Sequence, residues 1–414
     1  MVHDKIENVL QDTVQVLTRA IDTLKANKDE VVQRLHDPDN LPESCLNELS
    51  IRANDLAHEL RLLLEPRPVL IANYFLGSAN CKCLNAAVEL AVADILGRDS
   101  MTLADLAKAC GANEIRLKQI MRVLHNDGIF EFHAASSSYS NNACSLLLQK
   151  KHWTKWWYWV DLYGNEFYEM ARGIPAACRQ GEKRMPSQIA FDTDMSMFSW
   201  FAAQGSLHRV HRTLGGGAIA QAPGILQDYP WEEVIDGKTT IIDIGGGGGG
   251  LVATLCRAFP DLHGGIFDRP EVIQHAVENF HSPQGIYQDI GHRVARTDLR
   301  GGDFFQGVPR YEIYTMKWCL HDWGDEEAVQ VLSNIRKAII PGPRSRLILF
   351  EILLREGRSG HLARMADLSV FMAANGRERD KAEWCSLALK SGWSIRKVYN
   401  LRRAWPSAME LVPV

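Results

Sequence analysis

The sequence has no HExxH helix and no CxxC pair, and the two nearest of its nine cysteines, Cys81 and Cys83, make only a CxC. These absences argue against a structural zinc site, and no metal is expected. An odd number of scattered cysteines fits a reducing compartment better than a disulfide framework. No apolar run approaches the ~18 residues needed to cross a bilayer, so no membrane segment is expected. The opening residues Met1-Val2-His3-Asp4-Lys5 lack a basic stretch followed by an apolar one, so no secretory signal is expected and a cytoplasmic location is the default. Neither sign of charge is in large excess: 46 Lys and Arg against 50 Asp and Glu leave −4. A mildly acidic chain has no general pull on nucleic acid or anionic lipid, which points to a small, uncharged or weakly charged substrate.

What is present is 414 residues, too many for one ordinary core. Ile6, Leu10, Leu17, Ile21 and Leu24 recur at helical spacing, and a second amphipathic helix carries Leu56, Leu60, Leu63 and Leu64 before Pro66. They pack either on a second subunit or on their own chain's core. Thr102 followed by Asp105 reads as a helix start, Gly111 interrupts, and a further helix runs from Asn113 to Asn126. Gly128 and a short strand over 129–132 complete a winged-helix pattern. Its candidate recognition helix sets Arg116, Lys118 and Arg122 against Glu114 and Asp127, too weak a basic face to favour DNA binding. Residues 153–200 are rich in aromatics, among them Trp153, Trp156, Trp157, Trp159, Tyr163, Phe167 and Trp200. Most of these belong in a core, but six between 153 and 163 exceed what one helical stripe buries, so some are candidates to line a cavity for a flat ligand.

From Lys238 the texture changes to strands and helices in alternation. Strands are expected over 239–244, 264–268, around 286–294, over 311–315 and over 346–351, with helices at 251–259, from Pro270, and over 325–340. That alternation predicts a Rossmann-like doubly wound parallel sheet. The expected organisation is therefore amphipathic helices over 1–66, a winged-helix-like domain over 67–150, an aromatic-rich helical pocket segment over 151–222, and an α/β domain over 223–414.

The first strand runs into Gly245-Gly246-Gly247-Gly248-Gly249-Gly250. Glycines there let a ligand approach the backbone, and the following helix offers free N–H groups. Gly245, Gly247 and Gly250 satisfy GxGxxG, which alone is weak evidence for a dinucleotide. Asp243 discriminates. An acid at the end of the first strand repels a pyrophosphate but can anchor an ammonium, directly or through water, as S-adenosylmethionine (SAM) requires. Asp268 ends the second strand, where an acid takes both ribose hydroxyls of either cofactor. Asp303 and Phe304 are placed to offer a carboxylate and a ring to an adenine.

At the end of the fourth strand stands Met316-Lys317-Trp318-Cys319-Leu320-His321-Asp322-Trp323. With the DxGGGxG loop, Asp268-Arg269-Pro270, and Gly376-Arg377-Glu378-Arg379 before Glu383-Trp384, the chain resembles the caffeate-type, class II O-methyltransferases of plants and fungi, from about residue 70 to the end. The resemblance implies SAM as cofactor and a homodimer, with the winged-helix-like module serving dimerisation and pocket closure rather than DNA. It implies His321 as general base, Glu351 and Glu378 as the acids that orient it, and Asp268, Asp303, Phe304 and Lys317 as cofactor contacts, alongside Asp243, Gly245, Gly247 and Arg269 as further candidate cofactor residues. The chemistry is coherent. Imidazole titrates near ~6.5, neighbouring carboxylates raise that value, and a hydroxyl losing its proton can attack a sulfonium methyl in line. Trp200, His208, His211, Asp322 and Met372 are expected to line the acceptor pocket.

One departure stands out. Where the family carries a Phe-Asn-x-x-Met-like segment, this chain has Leu207-His208-Arg209-Val210-His211-Arg212. These residues either make the pocket cationic and hydrogen-bonding or lie on a solvated helix face. The fungal branch of the family includes members that keep SAM only as a bound cation and catalyse pericyclic or dehydrative ring formation, so O-methylation and such cyclisation are both carried forward.

Overall fold

The computed structural model describes residues 2–235 and 240–414, with side chains from residue 5. The onset expected at Lys238 and Thr239 lies outside the described residues. The chain divides into two compact units, residues 1–53 and 54–414. In the first, the amphipathic pattern gives a single helix, Val2–Ala26, and its apolar residues Ile6, Val9, Leu10, Val14, Leu17, Ile21 and Leu24 are all exposed.

The second unit contains the helix Arg67–Leu76, on which Tyr74, Phe75 and Leu76 are exposed. Thr102 caps the helix Leu103–Cys110 by accepting from the Asp105 N–H at 3.2 Å, and Asn113 caps Glu114–Asn126 by accepting from the Arg116 N–H at 3.1 Å. Three short strands, β1 (Ser100–Thr102), β2 (Glu131–His133) and β3 (Ser138–Ser140), form an antiparallel sheet beside them in the order β1-β3-β2. Leu106, Leu117, Met121, Leu124 and Phe130 make the local core.

The large sheet has seven strands: β4 (Thr240–Ile244), β5 (His263–Asp268), β6 (Leu299–Gly301), β7 (Ile313–Lys317), β8 (Arg346–Glu351), β9 (Trp393–Asn400) and β10 (Ser407–Pro413). Their order is β6-β5-β4-β7-β8-β10-β9. The first five run parallel, while β10 pairs antiparallel with both β8 and β9. The expected Rossmann-like domain is therefore present, with an antiparallel pair added at one edge. Burial on both faces explains the continuous apolar runs of β4, β7 and β8.

One strand expectation is corrected. Residues 288–293 form a 3-10 helix, and the third parallel strand is β6. Ile286, Ile290 and Val294 recur every four residues, which is helical rather than strand spacing, and the three-residue edge strand β6 leaves almost no pattern to read. Among the described residues, no helix is long and apolar enough to cross a membrane.

Parallel registry brings the ends of β4, β5, β7 and β8 to one edge of the sheet. Asp243, Asp268, Lys317 and Glu351 arrive there together, on the side where an open α/β sheet binds its ligand.

Candidate active site

His321 sits in a 3-10 turn, Leu320–Asp322, just past the end of β7. Three devices hold that turn. Glu351, fully buried at the end of β8, accepts through Oε1 from the N–H groups of Cys319 at 3.0 Å and Leu320 at 2.9 Å. The backbone of Gly376–Arg379 lies against it, with the Arg377 N–H donating to the His321 carbonyl at 2.8 Å. The buried Arg379 guanidinium donates to the carbonyls of Leu320 at 3.3 Å and Trp323 at 2.7 Å, and to Asp325 at 3.0 Å. Gly376 is required here. A Cβ on it would stand 2.2 Å from the His321 carbonyl oxygen, inside any allowed contact.

The imidazole is gripped from one side. Nδ1 lies 2.8 Å from Glu378 Oε1 and 3.7 Å from Glu351 Oε2, and Glu378 is itself fixed because its N–H donates to Asp367 at 2.8 Å. A carboxylate facing Nδ1 keeps a proton there, which leaves Nε2 to exchange protons with a ligand. Asp322 Oδ1 is 3.7 Å from Nε2. Burial alone would lower the His321 pKa, but the Glu351 charge and the Glu378 hydrogen bond outweigh it and carry the imidazole up to about 10. Burial also pushes the Glu351 and Asp322 carboxyls up, against the opposing pull of the His321 charge.

The neighbouring cradle is built from the glycine run. Asp243 is buried and accepts from the Thr315 hydroxyl at 2.8 Å. Its burial raises its pKa to about 7, partly offset by that hydrogen bond and by Lys317. Lys317 is lowered to about 8 by burial, against the charges of Asp243 and Glu351. Asp268 accepts from the Gly247 N–H at 2.9 Å and from the Arg269 N–H at 2.7 Å, so this acid also fixes the loop. Gly245 and Gly247 take φ of +69° and +56°, the left-handed region that favours glycine. Asp303 accepts from the Phe305 N–H at 2.9 Å, and Phe304 meets the Trp323 ring edge-on at 5.9 Å. The Arg269 side chain points to the surface, 3.4 Å from Glu271.

Among the expected pocket residues, Trp200 and Met372 share one cluster with Tyr163, Phe167 and Phe201, in which Trp200 stacks on Phe191 at 4.1 Å. His208 and His211 are exposed on the helix Leu207–Asp228, and no hydrogen bond or ion pair joins either to His321, Glu351 or Glu378 among the described residues. Arg209 is neutralised by Asp161 at 2.7 Å and by Glu166. Although His211 reaches solvent, partial desolvation by the surrounding protein and the charge of His275 push its pKa down.

Three contributors went unassigned in the sequence. Arg379 belongs to the Gly376-Arg377-Glu378-Arg379 segment, in which its sequence position alone assigns it no task. Thr315 was read only as strand. Trp405 packs against Trp159 at 4.9 Å and Trp318 at 6.2 Å, joining the aromatic segment to the loop after β7 from far along the chain.

The O-methyltransferase domain model matches residues 233–394, and the O-methyltransferase dimerisation domain model matches residues 72–151. Over 99% of its length the chain is 48% identical to the O-methyltransferase aclM of Aspergillus oryzae, covering 96% of that protein. The chain belongs to the SAM-dependent O-methyltransferase family. A second member, the O-methyltransferase verK of Clonostachys rogersoniana, is 43% identical over 99% of this chain and all of its own length. Among solved structures, the family fold is shared with CalO1, a methyltransferase of calicheamicin biosynthesis in its SAH-bound form. Its TM-score is 0.72 at 22% identity, over 84% of this chain and 98% of that one. NcsB1, an O-methyltransferase of neocarzinostatin biosynthesis in complex with SAM and 2-hydroxy-5-methyl naphthoic acid, matches with TM-score 0.59 at 22% identity, over 81% and 96% of the two chains.

Proposed function

We propose that this family member methylates a hydroxyl of a small aromatic or polyketide-derived metabolite, with His321 Nε2 taking the hydroxyl proton. The observation that carries the reading is the one-sided grip on the imidazole: two buried carboxylates hold Nδ1, and Nε2 is left for the acceptor.

The residues fit SAM better than a dinucleotide. The acids Asp243, Asp268, Asp322, Glu351 and Glu378 outnumber Lys317 and His321 around the site, which suits a ligand with net positive charge and repels a diphosphate. SAM supplies an electrophilic methyl group on a sulfonium. In this reading Asp243 and Lys317 hold the amino-acid end, Asp268 the ribose hydroxyls, and Asp303 with Phe304 the adenine. Glu351 and Glu378 orient His321 and stabilise its protonated form after it accepts the acceptor's proton. The aromatic cluster of Tyr163, Phe167, Trp200 and Met372 contributes an apolar wall. Turnover of a phenol panel containing 1,4-dihydroxy-2-naphthoic acid, with S-adenosylhomocysteine as the readout, tests the assignment. No product with any member at any pH would count against an aromatic acceptor.

The pH dependence of cofactor binding has a definite sign. A raised His321 pKa means the free site holds an imidazolium near neutrality, and a raised Asp243 pKa means that acid is partly protonated below about 7. Both protons oppose a cationic ligand, so SAM binding expels protons and tightens as the pH rises from 6 to 8, by at most about tenfold per unit per proton released. Calorimetry in buffers of different ionisation enthalpy measures the release. A pH-independent affinity with no proton release contradicts the electrostatic reading.

The assembly we propose is a homodimer joined through the domain at 72–151 and the exposed face of the adjoining helix Arg67–Leu76. Tyr74 and Phe75 are 84% and 65% exposed there, a large apolar surface for a lone chain. Tyr74→Asp combined with Phe75→Asp is expected to shift sedimentation from a two-chain to a one-chain mass. An unchanged two-chain mass refutes that face.

A further inference from the structure

We propose that His321, Glu351 and Glu378 also form a latent site for a single transition-metal cation of the Zn2+ type, whose binding silences the enzyme. One ligand atom from each of the three residues lies within 4.8 Å of the others. Nδ1 is 2.8 Å from one carboxylate and 3.7 Å from the other, bracketing the roughly 3.3–3.5 Å between neighbouring ligands of a tetrahedral zinc with bonds of about 2.0–2.2 Å. Small side-chain adjustments would equalise them.

A second observation points to a cation. Glu351 and Glu378 are 0% and 1% exposed, and each keeps one carboxylate oxygen, Oε2, with no hydrogen-bond partner among the described residues. A buried carboxylate oxygen without a donor is unfavourable, and a metal ion supplies what is missing. Two buried carboxylates also face one imidazole, and the charge of Lys317 is shared between Glu351 and Asp243. The donor set of one nitrogen and two oxygens suits Zn2+ or Co2+ rather than Mg2+, which retains its waters and prefers an octahedron of oxygens. The His321 side chain is 12% exposed, so the site has an opening to solvent.

The proton balance gives the consequence. A divalent ion at Nδ1 displaces that proton to solvent, and the neutral imidazole then carries its remaining hydrogen on Nε2. The nitrogen that must accept the hydroxyl proton is thereby blocked, and the two carboxylates are committed to the ion. The silencing rests on His321 acting as base; the binding of the ion does not.

Full-length protein stripped with EDTA and titrated with Co2+ tests the site through visible ligand-field absorption. The expected result is one equivalent per chain with the intense bands of a four- or five-coordinate ion, displaced by Zn2+. Glu351→Gln and, separately, Glu378→Gln should each weaken Co2+ binding by at least about tenfold. The exposed Glu326→Gln should leave it unchanged. Absence of a band at one equivalent in the wild type overturns the proposal without recourse to any variant. So does a Co2+ affinity left at the wild-type value in either folded glutamine variant, which would mean the ion sits elsewhere. At saturating Zn2+, S-adenosylhomocysteine production should fall at least about a hundredfold, the scale of general-base catalysis, and recover with EDTA. Undiminished turnover with the ion bound overturns the silencing. If His321→Ala still methylates, the base assignment fails while Co2+ binding to the wild type stands; an inactive His321→Ala with no Co2+ band in the wild type sinks the metal site alone.

Discussion

His321→Ala is expected to lower the rate of methyl transfer by about two to four orders of magnitude, the usual contribution of a positioned general base. SAM should bind the variant as tightly as the wild type or more tightly. The substitution removes an imidazolium from a site in which acids already predominate, and none of the hydrogen bonds that shape the glycine loop involve His321. Single-turnover rates and SAM titration together check both halves. Glu378→Gln should give a smaller loss and a shifted pH profile. An amide can still meet Nδ1 at 2.8 Å but no longer stabilises the imidazolium, so the apparent pKa of His321 falls and the alkaline rise in rate begins earlier. A His321→Ala variant that methylates at the wild-type rate would remove the base from the mechanism.

Gly376→Ala should be nearly as damaging, although Gly376 carries no chemistry. The added methyl would lie 2.2 Å from the His321 carbonyl oxygen and 2.8 Å from the Asp322 Cα, and both are backbone atoms that cannot swing aside. The turn that carries the imidazole must shift, straining the Arg377 N–H bond to the same carbonyl. A displacement of about 1 Å at a reacting group costs roughly a hundredfold in rate. The loss should appear in kcat, with the SAM dissociation constant little changed, because the glycine loop and Asp243 are held by other contacts. Equal loss of SAM binding would mean that Gly376 supports the whole edge of the sheet rather than the base.

Much of the α/β half was legible because local chemistry and fold agree there. Asp243, Asp268 and Glu351 each follow a short β-branched or apolar run, and a strand that ends in an acid at the ligand edge announces itself. His321 stands out in the sequence because it lies in a dense motif immediately after such a strand. The antiparallel strands β9 and β10 leave little pattern to read: β9 is an edge strand with polar residues on its open side, and β10, paired on both sides, carries buried Ser407 and Glu410 within its apolar run. The helix Leu207–Asp228 shows a second limit. It runs unbroken through Gly215-Gly216-Gly217 and past Pro223, residues that locally discourage a helix. Close packing explains the last two glycines: a Cβ on Gly216 or Gly217 would collide with Lys155 or Trp159 at 2.7 and 2.5 Å. The charge of Arg209 was equally unreadable. Its partners Asp161 and Glu166 lie more than forty residues earlier and meet it only through packing of this helix on the segment around 156–167. The segment that suggests a cationic pocket in the sequence thus has one of its two arginines, Arg209, already neutralised.

The most direct test of the central claim is mass spectrometry of a complete turnover with wild-type enzyme, SAM and an acceptor that is consumed. The account predicts one S-adenosylhomocysteine formed for each acceptor that gains a methyl mass, with both products lost in His321→Ala. Consumption of the acceptor at unchanged mass, or with loss of water, while SAM is required but remains intact, would contradict it and leave the cofactor as a bound charge.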